Sequence, residues 1–391
     1  MTFPNGIYFG LDFEEYRSIE RLSKSGIKQL LISPADYWAD SYLNPSPKRL
    51  TPQQQKTREM AKLLGQAYHC ARLEPDQFHD RYVREISHAD FANIEGFLVT
   101  GTDMGSQLEG MGEKKSGSVA EQAERLRLAG YAGPIWQIEL AAWEANRGGR
   151  IALPAEAFDQ IEIDMLRIAA VPSVHATLSD GFAEVSILYD CPDTGLPMKA
   201  RLDWLRADGW VEFKSFANPN GKQLEQCLMD AIKYNRYYID VAAYHEAVET
   251  IRTGENAICR GEFTAAHAVM IDDISQSPVP LPHRLIFQQK GGVPNVLSRE
   301  IRLFESPYRA VEELRADNAT DDRIAKAEKF AGELTPRPTM LMMKARAEIK
   351  RAKRAFIGYN EIYERGQPWQ PFEPHREVSD LDFSPYFLET I

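Results

Sequence analysis

Apolar positions change their period along the chain, and the changes mark out its elements. Within residues 22–42, Ser23 is placed to cap a helix running through Ile27, Leu30 and Leu31, and Ser33 followed by Pro34 predicts a second short helix carrying Tyr37 and Trp38. Residues 44–55 contain Pro45, Pro47 and Pro52 among polar neighbours and predict a loop. From Thr57, the residues Met60, Leu63, Leu64, Ala67 and Tyr68 fall on one helical stripe that ends near Ala71, with His69 one position off it. Periodicity is weak over 85–118, which predicts loop with only short elements. Helices are predicted over 120–129 and 136–146, on either side of a glycine-rich turn. Another over 155–170 carries Phe158, Ile161, Met165 and Ile168 at helical spacing, and Pro172 stops it.

At Ala183 the period becomes two. Val185, Ile187 and Tyr189 alternate with Glu184, Ser186 and Leu188, a turn follows at Pro192–Gly195, and the chain returns over 198–205. A second turn at Asp208–Gly209 leads into a third strand over 210–216, so the three predict an antiparallel meander. Residues 225–248 read as helix with a break near Asn235. Further strands are predicted at 266–271 and 285–287, then helices at 300–314, 325–330 and 340–363, the last rich in Lys and Arg. The whole predicts an α/β core over about 170–300 within a single domain spanning 1–391. A helical part over about 20–170 precedes the core and a helical extension over about 300–391 follows it.

Composition narrows the class. Of 391 residues, 43% are hydrophobic and 26% charged, which excludes collagen-like, mucin-like and mainly disordered chains. With 46 Lys and Arg against 57 Asp and Glu the net charge is -11, so any binding of a polyanion has to use a local basic channel. Cys70, Cys191, Cys227 and Cys259 form neither a CxxC pair nor a zinc spacing, which favours a reducing compartment. No run approaches 18 apolar residues, and the first residues lack the grammar of a secretory signal. A cytoplasmic location without membrane contact is the expectation.

The candidate chemistry lies in the meander. In the third strand Glu212 and Lys214 are two apart and share a face, while Val211 and Phe213 take the other. Asp203, on the preceding strand, lies across from them in the register that the Asp208–Gly209 turn implies. Two carboxylates beside a lysine suit a magnesium ion working on a phosphodiester. A Glu-x-Lys triplet alone is also common on solvated strands and decides nothing by itself. Lys222, Lys233, Tyr234, Arg236, Tyr237 and Tyr238 interleave charge with aromatic surface, and Lys344, Arg346, Lys350, Arg351, Lys353 and Arg354 form a basic stripe. Either group can grip phosphate, and either can equally be a solvated helix face.

Asp203, Glu212, Phe213 and Lys214 resemble the signature of PD-(D/E)XK nucleases. Several ordered blocks resemble the exodeoxyribonuclease VIII and RecB-type branch of that superfamily. They are Leu22–Gly26 leading to Ser33–Tyr37, Gly65–His69 with Leu73–Pro75 and Phe78, and Glu184–Ile187 ahead of Arg201–Leu205. The resemblance implies a restriction-endonuclease-like α/β core, with a central mixed sheet containing the meander and flanked by helices. It implies His69, Asp203, Glu212 and the carbonyl of Phe213 as ligands of Mg2+, with Mn2+ also accepted, and Lys214 as the catalytic lysine. Glu184 is either an outer acidic group of the site or simply the partner of Arg201. Two positions depart from the branch's pattern: Leu202 stands for the signature's proline, and Asp240, four residues before Tyr244, stands for a glutamine. An ionised Asp240 cannot donate a hydrogen bond as glutamine does, so it either modifies the site or faces solvent.

The function implied by the resemblance is a metal-dependent 5'-to-3' exonuclease acting on the ends of linear double-stranded DNA in recombination. It is expected to work as a homo-oligomeric ring and to hand a single strand to an annealing protein. The alternatives are a single-strand or end-trimming RecB-type nuclease and a catalytically weak DNA-end-binding assembly subunit. A helicase is disfavoured because the chain has no phosphate-binding G-x-x-x-x-G-K-[ST] loop.

Overall fold

The computed structural model describes residues 3–47, 50–216, 218, 220–252, 257–277, 283–289, 296–305, 309–317, 319–332 and 336–370. Ten strands run in chain order: β1 Gly6–Phe9, β2 Leu22–Ser23, β3 Tyr82–Arg84, β4 Ile151–Leu153, β5 Gly181–Asp190, β6 Pro197–Arg206, β7 Gly209–Phe216, β8 Cys259–Gly261, β9 His283–Gln289 and β10 Val296–Ile301. β3 and β4 form a small parallel pair. The others build a mixed sheet in the order β10-β9-β7-β6-β5-β1-β8, with β2 alongside β6. β5, β6 and β7 are the antiparallel meander read from the sequence, while β7 pairs with β9 in parallel. The fold is thus mixed α/β, with helices flanking a central mixed sheet.

The chain spells out much of this locally. Ser23 and Ser33 cap the Lys24–Leu30 and Pro34–Asp40 helices by accepting from the Gly26 and Asp36 N–H groups. The helical run after the meander breaks at Asn235 and Arg236 into the helices Leu224–Tyr234 and Tyr237–Arg252. The long basic helix is Met340–Ile362. On one side of the sheet, Val185, Ile187, Ala200, Leu202 and Trp210 pack with Ile239, Ala242 and Ile349 in the main core. On the other side, Val211, Phe213 and Ile286 meet Leu73, Ile168 and Val174 from the helices Pro52–Leu73, Ala155–Ala169 and Pro172–Thr177. Each fully buried large apolar side chain of this kind contributes about 1.5–3 kcal/mol to the fold.

Four expectations are corrected. Residues 266–271 are not a strand but lie in the helix Ala265–Gln276, where Thr264 starts the helix and Met270, Ile271 and Ile274 bury one helical face. Glu300 and Ile301 belong to β10, and the helix expected over 300–314 is Arg309–Ala316. The segment 85–118 contains the helix Gly101–Gly110, opened by a Thr100–Asp103 capping box and anchored by buried Met104 and Leu108. The loop expected over 44–55 ends early, because Thr51 and Gln54 form a capping box and Pro52 starts the long helix. β1, three residues of which pair with β5 opposite Ser186, Ile187 and Leu188, escaped the reading because four residues are too few to show a period.

Candidate active site

The site forms where the meander comes apart. β6 and β7 pair only at Trp204–Val211, Leu205–Trp210 and Arg206–Gly209, so Asp203 and Glu212 are the first opposed residues beyond the ladder. Past that point β2 lies alongside β6, pairing at Met198 and Lys199. Asp203 Oδ2 accepts the Phe213 N–H at 2.7 Å, a side-chain bond in place of the missing ladder bond. In an extended strand the N–H and C=O of one residue point to the same side, so the Phe213 carbonyl also faces the gap.

Glu184 occupies the matching level of β5. Ala183 pairs with Trp204 and Val185 with Leu202, which sets Glu184 opposite Asp203, yet Glu184 has a left-handed backbone with φ of 53°. Both strands exchange faces here. Val185, Ile187, Ala200 and Leu202 belong to the main core, but Ala183 and Trp204 pack with Val211 and Phe213 on the opposite side. Because β5 and β6 slip together, their register survives, and Asp203 is left at the crossing point between faces.

Side chains converge on this opening from both sides of the sheet. His69, near the end of the Pro52–Leu73 helix, brings Nδ1 within 3.2 Å of Glu184 Oε1. Glu184 also accepts a hydrogen bond from Arg201 Nε, the pairing expected as one of its two alternatives. Donor atoms of His69, Glu184 and Asp203 all lie within 4.8 Å of one another. From the other side, the lysines Lys24 and Lys214 both donate to Glu212 Oε1. Glu212 is 1% exposed, and its second oxygen is buried without a hydrogen-bond partner among the described residues. Asp240 is equally buried rather than solvent-facing; it accepts from Lys28 Nζ at 3.0 Å and lies 3.6 Å from Lys214 Nζ. Lys24 Nζ stands 4.1 Å above the Tyr244 ring, and Lys214 Nζ stands 5.1 Å from that of Tyr237.

The electrostatics follow from these neighbours. Burial raises the Asp203 carboxyl and nearby Glu212 adds to the shift, although His69 opposes it. Burial also pushes Glu212 upward, but the Lys214 and Lys24 ammonium groups outweigh it and hold the carboxyl well below its usual range. For His69, burial disfavours the imidazolium, while Asp203 and Glu184 favour it more strongly and raise its pKa. The groups open into a cleft of about 1210 Å³ that also presents Arg17, Arg21, Lys62 and Lys199.

Every site residue named from the sequence lies at this opening, but two groupings differ from the implied one. Glu184 joins His69 and Asp203 in the cluster of possible metal donors, whereas Glu212 is engaged by two lysines. Lys24 and Lys28 were missed. The Ser23 cap fixes where their helix starts, and with it the phase of the helix. Only the tertiary packing aims their side chains at β7 and at the Tyr237–Arg252 helix. Of the cations named from the sequence, Lys222 is paired at the surface with Asp230 at 2.8 Å, and Lys353 is buried on Glu246 and does not reach solvent.

The fold and the opening define the class: a mixed α/β sheet with flanking helices, carrying buried carboxylates, a histidine and lysines where two strands part. No known family pattern matches the sequence, and no curated protein matches it. Among solved structures, the crystal structure named "Putative exonuclease" from Eubacterium rectale is similar at 17% identity, covering 87% of this chain and 93% of that one with a TM-score of 0.39. A likeness of that size carries no functional weight.

Proposed function

We propose that the chain is a metal-dependent deoxyribonuclease that hydrolyses phosphodiester bonds, acting as a 5'-to-3' exonuclease on linear double-stranded DNA in recombination. The observation that carries the chemistry is the alignment of Glu184, Asp203 and Glu212 at one level of adjacent strands, flanked by His69 and Lys214. Polarity, duplex preference, a cytoplasmic ring assembly and an annealing partner rest on the sequence resemblance alone.

The residues fit a hard divalent cation. His69, Glu184 and Asp203 offer an imidazole and two carboxylates within reach of one another, and Glu212 holds a buried oxygen without a partner. When bound, Mg2+ or Mn2+ supplies a Lewis acid that lowers the pKa of water and neutralises phosphate charge. The protein's own groups do the rest. The Phe213 N–H fixes the Asp203 carboxylate, and Arg201 orients Glu184 against His69. Lys214, anchored by Glu212, places a positive charge beside the reacting phosphate, where negative charge grows as water adds to phosphorus. The water gives up a proton as it adds, the bridging P–O bond breaks, and the leaving oxygen takes up a proton, so no proton is gained or lost overall.

A second reading is favoured by one observation. Glu184, Glu212 and Asp240 each have a cation of this chain on them, an arrangement that also stabilises a catalytically weak end-binding subunit. Linear duplex labelled separately at its 5' and 3' ends, with closed circular DNA as control, separates the two. Magnesium-dependent loss from the 5' ends that spares circles and disappears in Lys214→Ala supports the exonuclease. Binding of ends without cleavage by folded, metal-loaded protein supports the second reading, and loss from 3' ends or of circles overturns the stated polarity or end requirement.

A further inference from the structure

The Met340–Ile362 helix buries Met342, Ala345, Ile349, Ala352 and Phe356 along one side. At 100° per residue, Arg346, Lys350, Arg354, Arg351 and Lys344 spread over the opposite side, and all five are exposed. Its acidic Glu348 is turned toward Tyr238, whose hydroxyl it accepts at 3.0 Å, and it also pairs with Lys344. Lys350, Arg351 and Arg354 have no ionic partner among the described residues. In a chain of net charge -11, five exposed cations on one helix side, three of them without an ionic partner among the described residues, reverse the sign of the molecular field locally.

The stripe is joined to the candidate active site through the break between the Leu224–Tyr234 and Tyr237–Arg252 helices. Lys214 and Lys28 both stand against the Tyr237 ring, and Lys28 Nζ lies 3.4 Å from the Asn235 carbonyl. Arg236 has a left-handed backbone with φ of 53°, and its Nη1 is buried without a hydrogen-bond partner among the described residues. That guanidinium and Arg351 both act electrostatically on Tyr238, and Lys344 Nζ lies 5.9 Å from the Tyr238 ring. Lys233 and 70%-exposed Tyr234 flank the junction, with the ammonium 5.0 Å over the ring.

Resting on the nuclease reading, we propose that Arg236, Lys344, Lys350, Arg351 and Arg354 form a phosphate track that holds the DNA backbone beyond the cleft. Cations that lack base-reading partners position a backbone without selecting sequence. The track therefore serves substrates long enough to leave the cleft, and its contribution grows with the number of phosphates reached.

The test measures binding of labelled duplexes to the full chain in chelator across a series of salt concentrations, by fluorescence anisotropy. A long duplex that reaches the helix is compared with a short one that fills only the cleft. The variant K350Q/R351Q/R354Q removes three charges from the exposed side, and Arg236→Gln tests the junction separately. The expected result for the triple variant on the long duplex is a salt slope smaller by about 2–3 and an affinity at low salt lower by roughly 10-fold or more. The KM for the long duplex rises more than that for the short one. Unchanged slope and affinity, in a variant that still cleaves, overturn the track and leave the nuclease reading standing. If wild type neither binds nor cleaves DNA, both fall. A change in assembly mass with DNA binding intact makes the stripe a subunit contact and overturns the track.

Discussion

Lys24 and Lys214 reach the same oxygen of a carboxylate that is 1% exposed, while their own side chains are 18% and 19% exposed. Replacing either lysine by methionine keeps most of the packing volume and leaves the other ammonium on Glu212. Losing one charge-assisted bond of this kind costs about 1.5–3 kcal/mol, reduced here because the remaining lysine recovers part of it. Replacing both leaves a buried carboxylate without a cation, a situation that costs about 3–5 kcal/mol. The second substitution is therefore expected to cost more than the first, with a coupling of about 1–3 kcal/mol in a double-mutant cycle. Urea unfolding of wild type, K24M, K214M and K24M/K214M measures it. Additivity within about 0.5 kcal/mol would refute the shared carboxylate. Cleavage assays on the same proteins distinguish the lysines, since Lys214→Met is expected to abolish activity while Lys24→Met lowers it.

Asp203→Asn keeps an acceptor for the Phe213 N–H but removes the charge; melting is expected to change little and DNA cleavage to fall by on the order of 100-fold or more. His245 and His283 are both pushed down to about 3 by burial, so they are neutral when folded and protonated in the unfolded chain below about pH 6.5. Stability is complete above that pH and falls toward pH 3 by up to about 1.4 kcal/mol per pH unit for each histidine. Urea midpoints between pH 6.5 and 5 read this loss before the depressed Glu212 begins to contribute, and His283→Asn lowers the slope by the share of one histidine, up to about 1.4 kcal/mol per pH unit. Gly261→Ala places a Cβ 2.4 Å from the Phe9 carbonyl oxygen at a φ of +73°, and a loss of about 2–3 kcal/mol in unfolding free energy is expected from the broken β1–β8 pairing.

What the sequence disclosed depended on how far apart the cooperating residues lie. Strand alternation and two tight turns identified the meander, and the Asp208–Gly209 turn placed Asp203 across from Glu212, because each constraint acts within about ten residues. Serine caps likewise located the helices Lys24–Leu30 and Pro34–Asp40. The convergence of Lys24, Lys28 and Asp240 on β7 depends on packing between segments about 190–210 residues apart, which no local pattern records. The helix at Ala265–Gln276 was mistaken for a strand because Ala266, Ala268, Val269, Met270 and Ile271 are mostly apolar and match both periods; its Thr264 start signal decides the case. The face exchange at Glu184 was hidden because polar and apolar residues still alternate in sequence through it.

That exchange behaves like a pair of matched dislocations in a crystal. A slip in β5 alone would throw Ala183 and Phe182 onto the wrong sides of an otherwise regular β6, and a slip in β6 alone would do the same to Trp204 and Leu205. Together the two defects cancel at a distance, so the lattice of pairing on either side is intact and the disturbance is confined to a single row. Neither strand can be straightened on its own without misfitting the other. Geometric repair of the sheet and loss of the opening are then the same event: a substitution that regularises one strand must either be matched in its neighbour or close the row from which Asp203 looks out.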